Sequence, residues 1–123
     1  MLTIDIRGEI ISGYEQGLRS AAGDTSLTTS ADDVRQALDA AQDERDIMLD
    51  IDCMGGDVYE GFKIYDLLRN SGKTLHACIR GGCHSMATVV LLAAPLENRT
   101  GVPNLRALVH LPRTLIDSEA LTA

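Results

Sequence analysis

Three short segments of the sequence hold groups that together could carry out acyl transfer. Ser85 stands at the head of an apolar stretch in Gly81-Gly82-Cys83-His84-Ser85-Met86-Ala87-Thr88-Val89-Val90. His110 follows in Arg106-Ala107-Leu108-Val109-His110-Leu111-Pro112, and a glycine pair lies upstream in Ile51-Asp52-Cys53-Met54-Gly55-Gly56-Asp57-Val58. A hydroxyl nucleophile, an imidazole base and a loop of unobstructed backbone N–H groups are what such a site requires. In this reading Ser85 attacks and His110 takes its proton. The N–H groups of Gly56 and Met86 hold the oxyanion, and Gly55 supports the loop.

Each of these residues has a plainer reading beside it. A serine at a helix start is most often a cap, a lone histidine in an apolar strand is usually structural, and a glycine pair is usually a tight turn. The neighbours of Ser85 favour chemistry. Gly81-Gly82 allow a sharp turn before it, and small Ala87 allows the helix to pack closely on a strand. The segment is not the G-x-S-x-G elbow, since Cys83 and Ala87 stand where that pattern has glycines. A Cys83–His84 dyad is disfavoured because adjacent residues project differently. Cys53, Cys78, Cys83 and His84 contain no C-x-x-C pair, so no metal site and no cofactor is expected. His76 reads as structural or exposed.

Around these residues the pattern alternates strand and helix. Leu2, Ile4 and Ile6 alternate with Thr3, Asp5 and Arg7, which reads as a half-buried strand ending at Gly8. From Gly8 to Thr29 the pattern dissolves into a long loop with at most a helical turn near Tyr14 to Leu18. Ser30 is placed to cap a helix whose first turn holds Asp32 and Asp33, with Val34, Leu38 and Ala41 on its buried face.

The next units follow the same rhythm. Ile47 to Asp52 reads as a strand buried on both faces, followed by a turn at Gly55-Gly56. A helix from Asp57 to Ser71-Gly72 buries Val58, Phe62, Tyr65 and Leu68. Leu75 to Ile79 is a strand, Ser85 to about Ala94 a helix stopped by Pro95, and Leu105 to Leu111 a strand carrying His110. Such alternation implies an α/β fold with a mostly parallel sheet, whose carboxyl edge gathers ligand-binding groups.

The totals set outer bounds. At 123 residues the chain reads as one domain over 1–123, with 45% hydrophobic residues and no apolar run of membrane-spanning length. Its net charge of −7 and its lack of tryptophan argue against nucleic acid as a partner. The start, Met1-Leu2-Thr3-Ile4-Asp5-Ile6, has no signal-peptide pattern, and three cysteines give no disulfide framework. A cytoplasmic location and no membrane partner are expected.

These segments resemble a known family. Met54-Gly55-Gly56-Asp57-Val58-Tyr59-Glu60-Gly61-Phe62-Lys63-Ile64-Tyr65-Asp66 is similar to its S-P-G-G-x-V-x-x-G-x-x-I-Y-D. Cys83-His84-Ser85-Met86-Ala87 resembles its A-A-S-M-A, and Pro103 to Pro112 its L-P-N-A-R-x-M-I-H-x-P. The family is the Clp protease proteolytic subunit, ClpP, and the phage and prophage ClpP-like peptidases are most similar, through Ile4-Asp5-Ile6-Arg7-Gly8-Glu9-Ile10.

The resemblance implies a crotonase-like fold of repeated β-α units and a serine endopeptidase with Ser85 as nucleophile and His110 as base. Gly56 and Met86 would supply the oxyanion hole, with no metal. It implies a homo-oligomer acting on peptide or protein substrates, an ATP-driven unfoldase as partner, and in phage relatives a role in protein processing. The sequence departs from the pattern at Cys53-Met54, where the family has Ser-Pro, and at Cys83-His84, where it has Ala-Ala. The family's acid falls beyond Ala123, so the C-terminal part of the fold is expected to be missing. Asp117 is then a substitute acid only if the last segment folds back. The alternative is a catalytically impaired homologue serving as an assembly or scaffolding subunit.

Overall fold

A computed structural model describes residues 1–109. Strand β1 (Leu2–Ile10) is followed by α1 (Gly13–Ala21), β2 (Thr28–Thr29), α2 (Ala31–Ala40), β3 (Asp46–Gly56), α3 (Val58–Arg69) and β4 (Thr74–His84). Helix α4 (Met86–Leu91), a 3-10 turn at Leu96–Asn98, β5 (Arg99–Gly101) and β6 (Arg106–Leu108) complete the described region. The strands form one sheet in the order β2-β1-β3-β4-β5, with β6 also on β4, and every pairing is parallel. The α/β expectation therefore holds, and the helices are the crossovers that parallel neighbours require.

Alternation along the strands decides which face is covered. Ile4 and Ile6 of β1, Ile47, Leu49 and Ile51 of β3, and Leu75 and Ala77 of β4 are buried, and they meet Val34, Ile64, Leu68, Ala87 and Val90 from the helices. The opposite face carries Asp46, Met48, Asp50, Asp52 and Met54, none of them buried, so β3 is buried on one face rather than on both as its apolar density suggests. There Asp50, at 15% side-chain exposure, sits between Arg80 Nε at 2.9 Å and Arg7 Nη2 at 2.8 Å. The Arg7 contact is an ion pair lying off the hydrogen-bonding line.

Two elements depart from the sequence reading. The expected loop from Gly8 to Thr29 instead contains the end of β1, all of α1 and β2. Helix α1 buries no residue, which is why it leaves no apolar period to read. Polar ties hold it instead: Ser12 Oγ accepts from Glu15 N–H, Arg19 pairs with Glu9 at 2.8 Å, and Gln16 donates to Thr28 and Asp33.

On α3 the buried residues are Glu60, Gly61, Ile64 and Leu68, while Phe62 is half exposed. A Cβ on Gly61 would lie 2.6 Å from Met86 Cε, so the face that approaches α4 is set by the glycine and not by the aromatic. No helix in the described region is long and apolar enough to cross a membrane.

Helix α2 starts as its sequence predicts. Ser30 Oγ accepts from Asp33 N–H at 3.1 Å, and Asp33 Oδ2 accepts from Ser30 N–H at 3.0 Å. Replacing Ser30 with alanine removes the acceptor of the Asp33 N–H, a first-turn donor that no helix carbonyl can take. Ser30→Ala is expected to cost about 1–2 kcal/mol in urea unfolding, and an unchanged midpoint would show that the box contributes nothing.

Candidate active site

The carboxyl ends of β3 and β4 bring two of the three sequence segments together. Gly55 and Gly56 do not form a separate turn as expected but remain the last residues of β3. They have different neighbours. A Cβ on Gly55 (φ +91) would lie 2.8 Å from Ser85 Cβ and 3.0 Å from Met86 N, so its bare backbone is pressed against the serine. A Cβ on Gly56 (φ +149) would run into the Ile10 carbonyl of β1. Asp57 N–H also donates to that carbonyl, at 2.9 Å. The Gly55 N–H points back to Cys53 Sγ at 3.4 Å.

Ser85 is the one non-glycine residue with positive φ in the described region, at φ 55 and ψ −124. An L-residue held in such a sparsely populated conformation costs about 1–3 kcal/mol, and the surrounding structure must enforce it. Three bonds do so. The Ser85 N–H donates to Leu108 O at 2.7 Å, and its carbonyl accepts from Thr88 N–H at 2.9 Å and from Thr88 Oγ1 at 2.6 Å. The side chain makes no capping bond, which removes the plain reading of Ser85 as a helix cap. A strained serine at a strand-to-helix turn has the geometry of a nucleophile elbow without its G-x-S-x-G sequence.

The competing nucleophiles are set aside by burial. Cys53 and Cys83 are register partners across β3 and β4, and both are almost completely buried. Burial, and then the neighbouring Cys53, push the Cys83 thiol up to about 11, and burial raises Cys53 as well. Thiols held protonated in this way are poor nucleophiles. His84 lies on the other face, where its ring covers Gly82, so it does not pair with Cys83. A cleft of about 520 Å3 opens on that face, lined by Arg7, Asp52, Met54, Gly82, His84 and Arg106 among others.

His110 and Asp117 lie outside the described residues. What the structure does show is the strand leading to His110. β6 pairs with β4 through Gly82↔Arg106, Cys83↔Ala107 and His84↔Leu108, and ends against the Ser85 N–H. Beside the site, two further features escaped the sequence reading. One is β5, a strand of only three residues. The other is Asp52, whose carboxylate accepts from the Gly82 N–H at 3.0 Å. Its only signal in the sequence is an acid three residues before one glycine pair, with a second pair downstream.

A parallel sheet that presents a strained serine beside a glycine-bearing strand end defines an α/β protein with a candidate site at the carboxyl edge of its sheet. Comparison with known proteins gives the family. The family model for Clp protease matches residues 23–121. The ATP-dependent Clp protease proteolytic subunit of Deinococcus radiodurans is 36% identical over 73 residues, covering 59% of this chain and 36% of that protein.

The proteolytic subunit 2 of Treponema denticola is 36% identical over 93 residues, covering 74% of this chain and 46% of that protein. Among solved structures, ClpP1 from Listeria monocytogenes superposes with a TM-score of 0.72 at 28% identity, covering 98% of this chain and 63% of that one. A point mutant of the same ClpP1 gives 0.73 at 30% identity, with 62% of its chain covered. The chain belongs to the Clp protease family. It spans less than half the length of these two curated relatives.

Proposed function

We propose that this protein is a ClpP-like serine peptidase that hydrolyses peptide bonds through an acyl-enzyme on Ser85. The observation that carries this reading is the backbone of Ser85, strained at φ 55 and ψ −124 with its hydroxyl unused for capping. Natural proteins retain such strain where function needs it. In the proposed cycle His110 accepts the Ser85 proton as the hydroxyl adds to the scissile carbonyl. The N–H groups of Gly56 and Met86 stabilise the oxyanion, and the tetrahedral intermediate collapses with His110 protonating the leaving amine. Water then repeats the sequence on the acyl-serine, with His110 again as base, and regenerates the free hydroxyl.

The wider setting belongs to the same proposal. Substrates are peptides or unfolded proteins, the working form is a homo-oligomer in the cytoplasm, and an ATP-driven unfoldase delivers protein substrates. The resemblance of residues 4–10 to the phage-type first strand supports a role in phage or prophage protein processing. Met54, Leu108 and Val109 are more than half exposed beside the site, and burial between copies would remove this apolar surface from water.

The direct test is labelling with a fluorophosphonate probe. The wild-type protein is expected to label and Ser85→Ala to remain unlabelled. Equal labelling of both, or of neither, would overturn the assignment.

A further inference from the structure

β3 and β4 run in register from Asp46↔Thr74 to Ile51↔Ile79, and then resume at Cys53↔Cys83. Between these points Asp52 alone faces Arg80, Gly81 and Gly82, so β4 carries two extra residues just before the serine. The insertion is even, so Cys83 returns to the buried face that Ile79 occupies, and the alternation of β4 survives. A bulge of this kind interrupts the ladder and leaves backbone N–H groups without their regular partners.

The Asp52 side chain fills the gap. Its Oδ1 accepts the Gly82 N–H at 3.0 Å. Gly81 leaves room for this fit, since a Cβ there would lie 2.6 Å from the same oxygen, whereas a Cβ on Gly82 would crowd only the His84 ring, at 2.8 Å. From Gly82 onward each residue is tied to β6, through Gly82↔Arg106, Cys83↔Ala107 and His84↔Leu108, and the Ser85 N–H donates to Leu108. A shift of Gly82 is therefore passed along three residues to Ser85.

We infer that Asp52 is a positioning residue: its carboxylate clamps the Gly82 N–H in the β4 bulge and so sets where the Ser85 hydroxyl stands. This rests on the reading of Ser85 as the nucleophile. The clamp needs an acceptor and not a titrating group, since an amide oxygen can take the same N–H. A displacement of the nucleophile by about 1 Å can cost on the order of 100-fold in rate.

The test compares Asp52→Ala and Asp52→Asn with the wild type, with thermal unfolding confirming that each is folded. Asp52→Ala is expected to slow fluorophosphonate labelling of Ser85 by about 10–100-fold and to lower kcat for a small peptide equally, with KM within about threefold. Asp52→Asn is expected to restore both. Exchange of the Gly82 amide with solvent deuterium, read by NMR, is expected to speed up in Asp52→Ala and to stay slow in Asp52→Asn. Wild-type labelling in Asp52→Ala, an Asp52→Asn variant as slow as it, or a Gly82 amide indifferent to the substitution would each overturn the inference. If the wild type itself fails to label, the peptidase reading falls and positioning of a nucleophile falls with it. Gly82 exchange would still report whether the clamp exists.

Discussion

Gly56→Ala is expected to destabilise the protein by about 3–5 kcal/mol, combining the strain of an alanine at a glycine-only backbone angle with overpacking of a filled site. At φ +149 an L-residue is strained whatever the space, and here the added methyl also meets the Ile10 carbonyl. Side-chain repacking cannot relieve that contact, because the position of the methyl is fixed by its own backbone and the Ile10 carbonyl is backbone itself. The Ile10 carbonyl also accepts the Asp57 N–H at the start of α3, so displacing β1 would disturb the helix start as well. Urea unfolding followed by circular dichroism checks the expectation. A loss below about 1 kcal/mol, the scale of an ordinary Gly-to-Ala effect, would show that β1 and β3 are not packed as described. Gly55 offers a contrast, since a methyl there would meet the Ser85 turn instead.

The second large effect separates stability from function at one position. Ser85→Gly is expected to raise stability by about 1 kcal/mol, because relief of about 1–3 kcal/mol of backbone strain outweighs the greater freedom of glycine in the unfolded chain. It is also expected to abolish peptide hydrolysis, a loss on the order of 10⁴- to 10⁶-fold when a serine nucleophile is removed. Ser85→Ala removes the hydroxyl but keeps the Cβ at φ 55, so it should lose the activity without the gain in stability. Unfolding midpoints of the two variants, measured together with turnover of a fluorogenic peptide, decide the matter. Equal midpoints would mean that the turn at Ser85 stores no strain. Retained turnover would remove Ser85 from the chemistry.

How far the fold could be read from the sequence varied with the force holding each element. The strands with buried alternation, and the helices after Ser30 and Asp57, were legible because an apolar period or a cap announces them. Helix α1 was not, because side-chain hydrogen bonds and ion pairs hold it to β1, β2 and α2, and no apolar face is buried. Phe62 misled for a related reason. Apolar character argues for burial, but close approach between α3 and α4 needs the smallest residue at the contact, and Gly61 takes that place.

At the candidate site the division is sharper. Local sequence determined the chemical types: a serine before an apolar helix, a glycine pair after an apolar strand, and a histidine in a third segment. It also carried the order and spacing that make the Clp protease family recognisable. It could not show that Ser85 is strained and leaves its hydroxyl out of the cap, since that conformation is enforced by Leu108 and Thr88. Nor could it separate the two glycines, one pressed on the serine and the other on Ile10, or place Asp52 against Gly82. Residue type and periodicity are properties of neighbours in the chain, and sequence reports them directly. Backbone strain, close approach and the partner of a bulge arise between strands far apart in sequence, and only packing brings those strands together.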